Sequence, residues 1–94
     1  MNIGTAIRTL RLKESLLQEE FASRIGITQT YLSQIERGHK NPSLDVLNSM
    51  AKDLKLPLPL MFWFGVEESD IQENKKEAYK TLKPSIDALI GSLF

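Results

Sequence analysis

The stretch LQEEFASRIGITQTYLSQIERGHKNP, from Leu17 to Pro42, constrains this chain more than any other. It reads as two short helices joined at Gly26. Glu19 and Glu20 lie in the first turn of the earlier helix, Gln18–Ile25, where acids suit the helix dipole, and Gly26 supplies a left-handed stop. Thr28 can cap a helix that runs to Arg37 and ends at Gly38. That later helix has two unlike faces. Leu32, Ile35 and Glu36 share one side, whereas Gln29, Thr30, Ser33, Gln34 and Arg37 follow the i, i+1, i+4, i+5, i+8 spacing of the other.

The outer face carries amides, hydroxyls and one guanidinium, the groups that hydrogen-bond base edges in a DNA major groove. A formal net charge of zero speaks against nucleic acid at first sight, but the charge is unevenly placed. Residues 1–56 hold eight Lys/Arg against six Asp/Glu, and residues 57–94 hold four against six. The basic excess, at Arg8, Arg11, Lys13, Arg24, Arg37, Lys40, Lys52 and Lys55, thus accompanies the amide-rich helix. It is small, so non-specific affinity should be weak and salt-sensitive, and specific contacts at two half-sites should matter more.

The remaining pattern is helical. Ile3, Ile7 and Leu10 mark a first helix over residues 3–14 with Asn2 as its cap. Ser43 caps a fourth helix with a stripe of Leu44, Leu47, Met50, Ala51 and Leu54. Pro59 fits the first turn of a short fifth helix, Leu60–Phe64, closed by Gly65. No strand alternation and no repeat appear. At 94 residues the chain is one domain's length with a limited core, which burial in an oligomer would supplement. The longest apolar run, Leu54–Val66, is broken by Lys55, Pro57, Pro59 and Gly65, so no membrane span is expected. The charged, helical N-terminus is not a signal peptide. The absence of cysteine excludes disulfides and thiolate metal sites, making a cytoplasmic location the simplest expectation.

The segments QEEFASRIGITQTYLSQIERG and NPSLDVLNSMAKDL, at this spacing, resemble the helix-turn-helix domain of the phage Cro/repressor family, the XRE-type, lambda-repressor-like regulators. The resemblance covers residues 3–64 and includes Ala22, Gly26, the IERG ending and the NPSL helix start. It implies an all-α, five-helix domain over residues 1–65; residues 66–94 lie outside the resemblance, and their own pattern reads as a C-terminal helical extension that dimerises or binds a partner. It also implies that the helix beginning at Gln29 enters the major groove while the preceding helix crosses the backbone.

Carried over to this chain, the resemblance places Gln29, Thr30 and Gln34 at base edges, with Ser33 at the rim. A Gln amide suits adenine N6 and N7, and the Thr methyl can meet a thymine methyl. Gln18, Arg37, Lys40 and Asn41 would contact phosphates. Glu36 faces the core and needs a partner. The resemblance points to Arg11 as a structural ion pair, a phosphate contact being the rival role for Arg11. One departure stands out: Leu17 occupies a position where the family has Ser, Thr or Asn, and Leu cannot cap. Ser15 with Gln18 could form a capping box instead, starting the helix a turn early. Leu16, Phe21 and Ile25 favour the family register.

Other residues read as structural. His39 stands alone in a loop, and no serine has a His/Asp partner, so neither a metal site nor an enzyme is expected, and no cofactor. Met61, Phe62, Trp63 and Phe64 have core spacing. Tyr31 divides evenly between packing and a phosphate contact. Beyond Gly65, Ser69 and Gln72 could start a helix reaching Lys83, with Pro84 then breaking or kinking the chain. After it Ile86, Leu89, Ile90, Leu93 and Phe94 form an apolar face. Such a face either covers its own domain over Trp63 and Phe64 or joins two subunits, and the expectation here is a dimer interface.

Three functional classes follow. The first is a sequence-specific regulator, a repressor on a palindromic operator in double-stranded DNA, acting as a homodimer. The second is an antitoxin or restriction–modification controller whose C-terminal region meets a protein partner. The third is an interaction adaptor without DNA binding, which the lack of apolar anchors on the outer helix face disfavours.

Overall fold

The computed structural model describes residues 1–92, so Leu93 and Phe94 of the expected apolar face lie outside it. Among the described residues the chain is helical throughout: α1 (Ile3–Lys13), α2 (Gln18–Ile25), α3 (Gln29–Glu36), α4 (Leu44–Leu54), α5 (Leu58–Trp63) and α6 (Lys76–Gly91). Two single 3₁₀ turns, Glu68–Asp70 and Glu73–Lys75, precede α6.

Three helix starts use a side-chain oxygen to accept an otherwise orphaned backbone N–H. Asn2 Oδ1 takes Thr5 N–H at 3.0 Å, Thr28 Oγ1 takes Tyr31 N–H at 3.0 Å, and Ser43 Oγ takes Val46 N–H at 3.2 Å. The start of α2 is different. Leu17 occupies the cap position without a side-chain acceptor, and the Glu20 carboxylate reaches back to accept Leu17 N–H at 3.1 Å. This is the half of a capping box that an apolar cap residue permits. Ser15 adopts a left-handed φ of 56°, so the earlier start pairing Ser15 with Gln18 is not taken.

The helices enclose one core in which Ile7, Leu10, Phe21, Leu32, Ile35, Met50 and Met61 are fully buried. α1 packs on α3 and α5, and α2 on α3 and α4. Gly26 turns the chain between α2 and α3 at φ +79°, a conformation that penalises any side chain. Gly4 matters for proximity rather than φ. A Cβ there would collide with the Ile35 carbonyl oxygen and stand 2.9 Å from that of Glu36, so α1 lies directly on the last carbonyls of α3.

Three expectations are corrected. Leu44 keeps the angular register of the α4 stripe yet is 63% exposed, whereas Leu47, Met50, Ala51 and Leu54 are buried. α5 begins at Leu58 rather than Leu60, with Pro59 still in the first turn, where its missing N–H costs nothing. The third lies beyond Gly65. No helix starts at Ser69, where Asp70 Oδ2 instead accepts Glu67 N–H at 2.8 Å and fixes a 3₁₀ turn.

α6 then runs through Pro84 without a break. Packing on both sides of the proline explains its tolerance. Before it, the Tyr79 hydroxyl donates to Val66 O at 3.3 Å and the Tyr79 ring sits 5.9 Å from that of Trp63. After it, Trp63 Nε1 donates to Asp87 Oδ1 at 2.7 Å, and Ile90 is 2% exposed within the core. Pro84 itself is exposed, so water can reach the carbonyl that lost its helical donor. Ile86 and Ile90 therefore cover their own domain, and they do not form the free dimer face expected from the sequence. Leu89 alone of that set's described members points outward, 69% exposed.

Asp87 makes this closure pH-dependent. Burial pushes its carboxyl up, but the Lys83 and Trp63 hydrogen bonds, with the Lys83 and Lys13 charges, outweigh burial and hold it below its ordinary value. A carboxyl depressed in the folded state adds stability above its unfolded pKa, near pH 4, which is lost as pH falls through the folded value. Fluorescence of Trp63, the single tryptophan, should therefore change on acidification before helical circular dichroism does, and Asp87→Asn should remove that early step. Gly4→Ala should cost at least about 1–3 kcal/mol, the usual range for overpacking, in urea unfolding.

Candidate nucleic-acid interface

The geometry of α3 is set from within by one buried ion pair. Arg11 Nε lies 2.8 Å from Glu36 Oε2 and Arg11 Nη2 lies 3.0 Å from Glu36 Oε1, with side-chain exposures of 7% and 2%. The fork is bidentate, and its remaining capacity is used. Arg11 Nη1 donates to Leu16 O at 2.6 Å, and Leu16 N–H donates back to Arg11 O at 3.1 Å. Gln18 Nε2 donates to Glu36 Oε1 at 3.1 Å. One guanidinium thus joins α1, the α1–α2 connection and α3, while Gln18 adds the start of α2. Leaving either charge without its partner would strand the other in an apolar interior.

This arrangement also settles the charge of α3. Glu36 is the one acid in the helix, and it is buried and neutralised. The outer surface presents Gln29, Thr30, Ser33, Gln34 and Arg37 with no carboxylate among them. Gln18, Gln29, Thr30, Ser33 and Arg37 line one shallow open recess. Gln29, Thr30 and Arg37 are exposed, whereas Ser33 and Gln34 are half-buried. The Arg37 guanidinium bends back toward Ser33 O at 3.4 Å. Gln34 O accepts His39 N–H at 2.8 Å and Lys40 N–H at 3.3 Å, closing the end of α3 after the left-handed turn at Gly38.

Lys40 and Asn41 are exposed but stand elsewhere, bordering a second depression with Asn2, Gly4 and Gly38 beside the start of α1. Tyr31 is partly buried against the core. Gln18 differs most from its expected role, because one of its amide N–H groups is committed to Glu36. The sequence held a signal for this. A buried carboxylate offers more acceptor sites than one guanidinium fills, so a further donor was required. A second pair that the sequence reading missed, Arg24 Nε to Asp53 Oδ1 at 3.0 Å, ties α2 to α4 at the surface. No metal-binding group of His, Asp or Glu occurs among the described residues. No helix among them is long and apolar enough to cross a membrane.

A helix whose polar, acid-free face is held outward, packed across a preceding helix, is the arrangement of a helix-turn-helix. Residues 7–61 match the helix-turn-helix family, and the chain belongs to it, in the XRE-type class. An uncharacterized HTH-type transcriptional regulator of Mycobacterium tuberculosis is 38% identical over 59 residues, covering 63% of this chain and 42% of that protein. The chain thus spans less than half the length of that relative. The immunity repressor protein of Bacillus phage phi105 is 28% identical over 90% of this chain and 67% of its own. Among solved structures, the restriction-modification controller protein C.AhdI from Aeromonas hydrophila superposes with a TM-score of 0.62 at 31% identity. That superposition covers 65% of this chain and 92% of the controller.

The Arg11–Glu36 pair yields a stability prediction. Arg11→Ala should cost roughly 3–5 kcal/mol, because it strands a buried carboxylate, and replacing both residues with apolar side chains should recover much of the loss. Thermal unfolding of the two single variants and the double variant tests this, and additive losses would count against the buried pair.

Proposed function

We propose that the protein is a sequence-specific repressor that binds a palindromic operator as a homodimer. The observation that carries this reading is the outer face of α3: amides, hydroxyls and a guanidinium, held rigidly, with the helix's single acid turned inward. In this reading Gln29, Thr30 and Gln34 meet base edges and Ser33 lies at the rim. Gln suits the N6/N7 edge of adenine. Arg37, Lys40 and Asn41 hold phosphates on either side of the reading helix, and the uncommitted N–H of Gln18 reaches a further one. Two copies supply half-sites about one helical turn apart, which offsets the low net charge of each. The likeness to a phage immunity repressor supports repression.

A restriction–modification controller is the second reading. It is favoured by the similarity to C.AhdI, which extends over nearly all of that controller.

Selection of bound sequences from a random DNA pool would yield the half-site and its spacing together. On that operator, Gln34→Ala should lose about 1–3 kcal/mol and relax preference at one base pair. Lys40→Ala should weaken binding to all sequences alike and reduce the salt dependence. Matching profiles for the two variants against a mismatch panel would show that α3 is oriented differently.

A further inference from the structure

The depression beside the start of α1 contains a residue that phosphate binding does not explain. Lys40 and Asn41 border it from the loop after α3, Asn2 and Gly4 from α1, and Glu67 from the turn after α5. Its volume is about 250 Å³, which puts its walls on the scale of the Debye length, about 10 Å at 0.1 M salt. A phosphate gripped by Lys40 and Asn41 would lie close to a carboxylate. Like charges at that separation repel.

The fold holds Glu67 in this place without pairing it to Lys40. Glu67 N–H donates to Asp70 Oδ2 at 2.8 Å and closes the 3₁₀ turn. Asn2 N–H donates to Gly65 O at 2.7 Å and ties the end of α5 to the start of α1. The Met1 ammonium then lies 3.3 Å from Glu67 Oε1 and 2.6 Å from Asp70 Oδ1. One positive charge between two negative ones leaves this rim negative. Glu68 turns the other way, to Lys80 on α6 at 3.3 Å, and lines no part of the depression. The Glu67 side chain is 53% exposed, open to whatever docks against Lys40.

We propose that Glu67 is an electrostatic brake on DNA binding: its carboxylate repels the phosphate held at Lys40 and Asn41 and lowers affinity for all duplexes alike. The proposal rests on the reading of Lys40 and Asn41 as phosphate contacts. The basic excess of residues 1–56 is small, and the segment after α5 subtracts from it at the edge where Lys40 adds to it. Phosphates carry no sequence information, so the repulsion falls on specific and non-specific binding equally. The protein then leaves unrelated DNA readily, and the base contacts of α3 decide where it stays. A homodimer carries the acid twice, so its effect on an operator is the square of that on one half-site.

Glu67→Gln tests the brake with little change of shape. Asp70 keeps the shorter contact with the Met1 ammonium, so urea unfolding should stay near wild type. Fluorescence anisotropy gives affinities for the selected operator and for an unrelated duplex. At about 0.01 M salt, where the Debye length is about 30 Å, Glu67→Gln should tighten binding at least about twofold per bound copy on both duplexes. The gain should shrink at about 0.15 M salt, where that length is about 8 Å. Glu67→Lys should gain more and steepen the salt dependence, as an added phosphate contact does. Glu77→Gln makes the same change of net charge on α6, where the side chain is 92% exposed and away from the depression, and should bind as wild type does. Equal gains from Glu67→Gln and Glu77→Gln would overturn the brake. So would no gain from Glu67→Gln while Lys40→Ala weakens all binding. No loss from Lys40→Ala on any duplex would instead overturn the phosphate reading, and the brake with it.

Discussion

The contact between Arg11 and Glu36 governs the rest of the molecule. Its Coulombic gain is opposed by the desolvation of two ions, so it is poor evidence for stability on its own. Its value here is geometric. A guanidinium fork fixes direction as well as distance, and this one meets Glu36 and Leu16 O simultaneously while Gln18 occupies the carboxylate from the other side. The relative placement of α1, α2 and α3 is thereby specified by a network in which the charged groups all have partners. An apolar cluster of similar volume would hold the helices together but would fix their rotation less sharply. A helix that reads base edges tolerates little rotation.

The same contact has an electrostatic consequence. A carboxylate on the outer face of α3 would repel the phosphate backbone, and the protein has no large positive charge to override it. Turning Glu36 inward removes the repulsion at its source. The surface left behind is weakly basic and rich in neutral hydrogen-bonding groups, a composition that favours discrimination between sequences over affinity for any DNA. In the proposed homodimer, two half-sites would do the work that bulk charge does elsewhere.

α6 answers a different constraint, the small core of a short chain. Trp63 is half-buried at the end of α5, and α6 meets it with Tyr79 and the Asp87–Trp63 hydrogen bond while Ile86 and Ile90 join the core. Lys13 closes the same edge from α1, 5.9 Å above the Phe64 ring. With its inner face occupied in this way, α6 offers only its outer face to other molecules.

Much of this was legible in the sequence because it depends on local spacing. Asn2, Thr28 and Ser43 were recognisable as caps from their positions alone, Gly26 as a left-handed turn, and the apolar residues of α1 to α4 from their period, since caps and periodicity involve residues only a few positions apart. The resemblance to XRE-type regulators supplied Arg11 as the partner for a carboxylate that periodicity had already turned inward. What required the tertiary structure was every choice between partners distant in the chain. Gln18 could serve a phosphate or Glu36, and only the crossing of α2 over α3 put Glu36 within 3.1 Å. Pro84 looked like a stop because its local cost was visible, whereas the contacts of Tyr79, Asp87 and Ile90 that offset it come from residues up to 24 positions away. Ile86 and Ile90 had the right pattern for burial, but a pattern records that a face is apolar without saying what covers it. That was decided by where α5 leaves Trp63, a property of the folded chain.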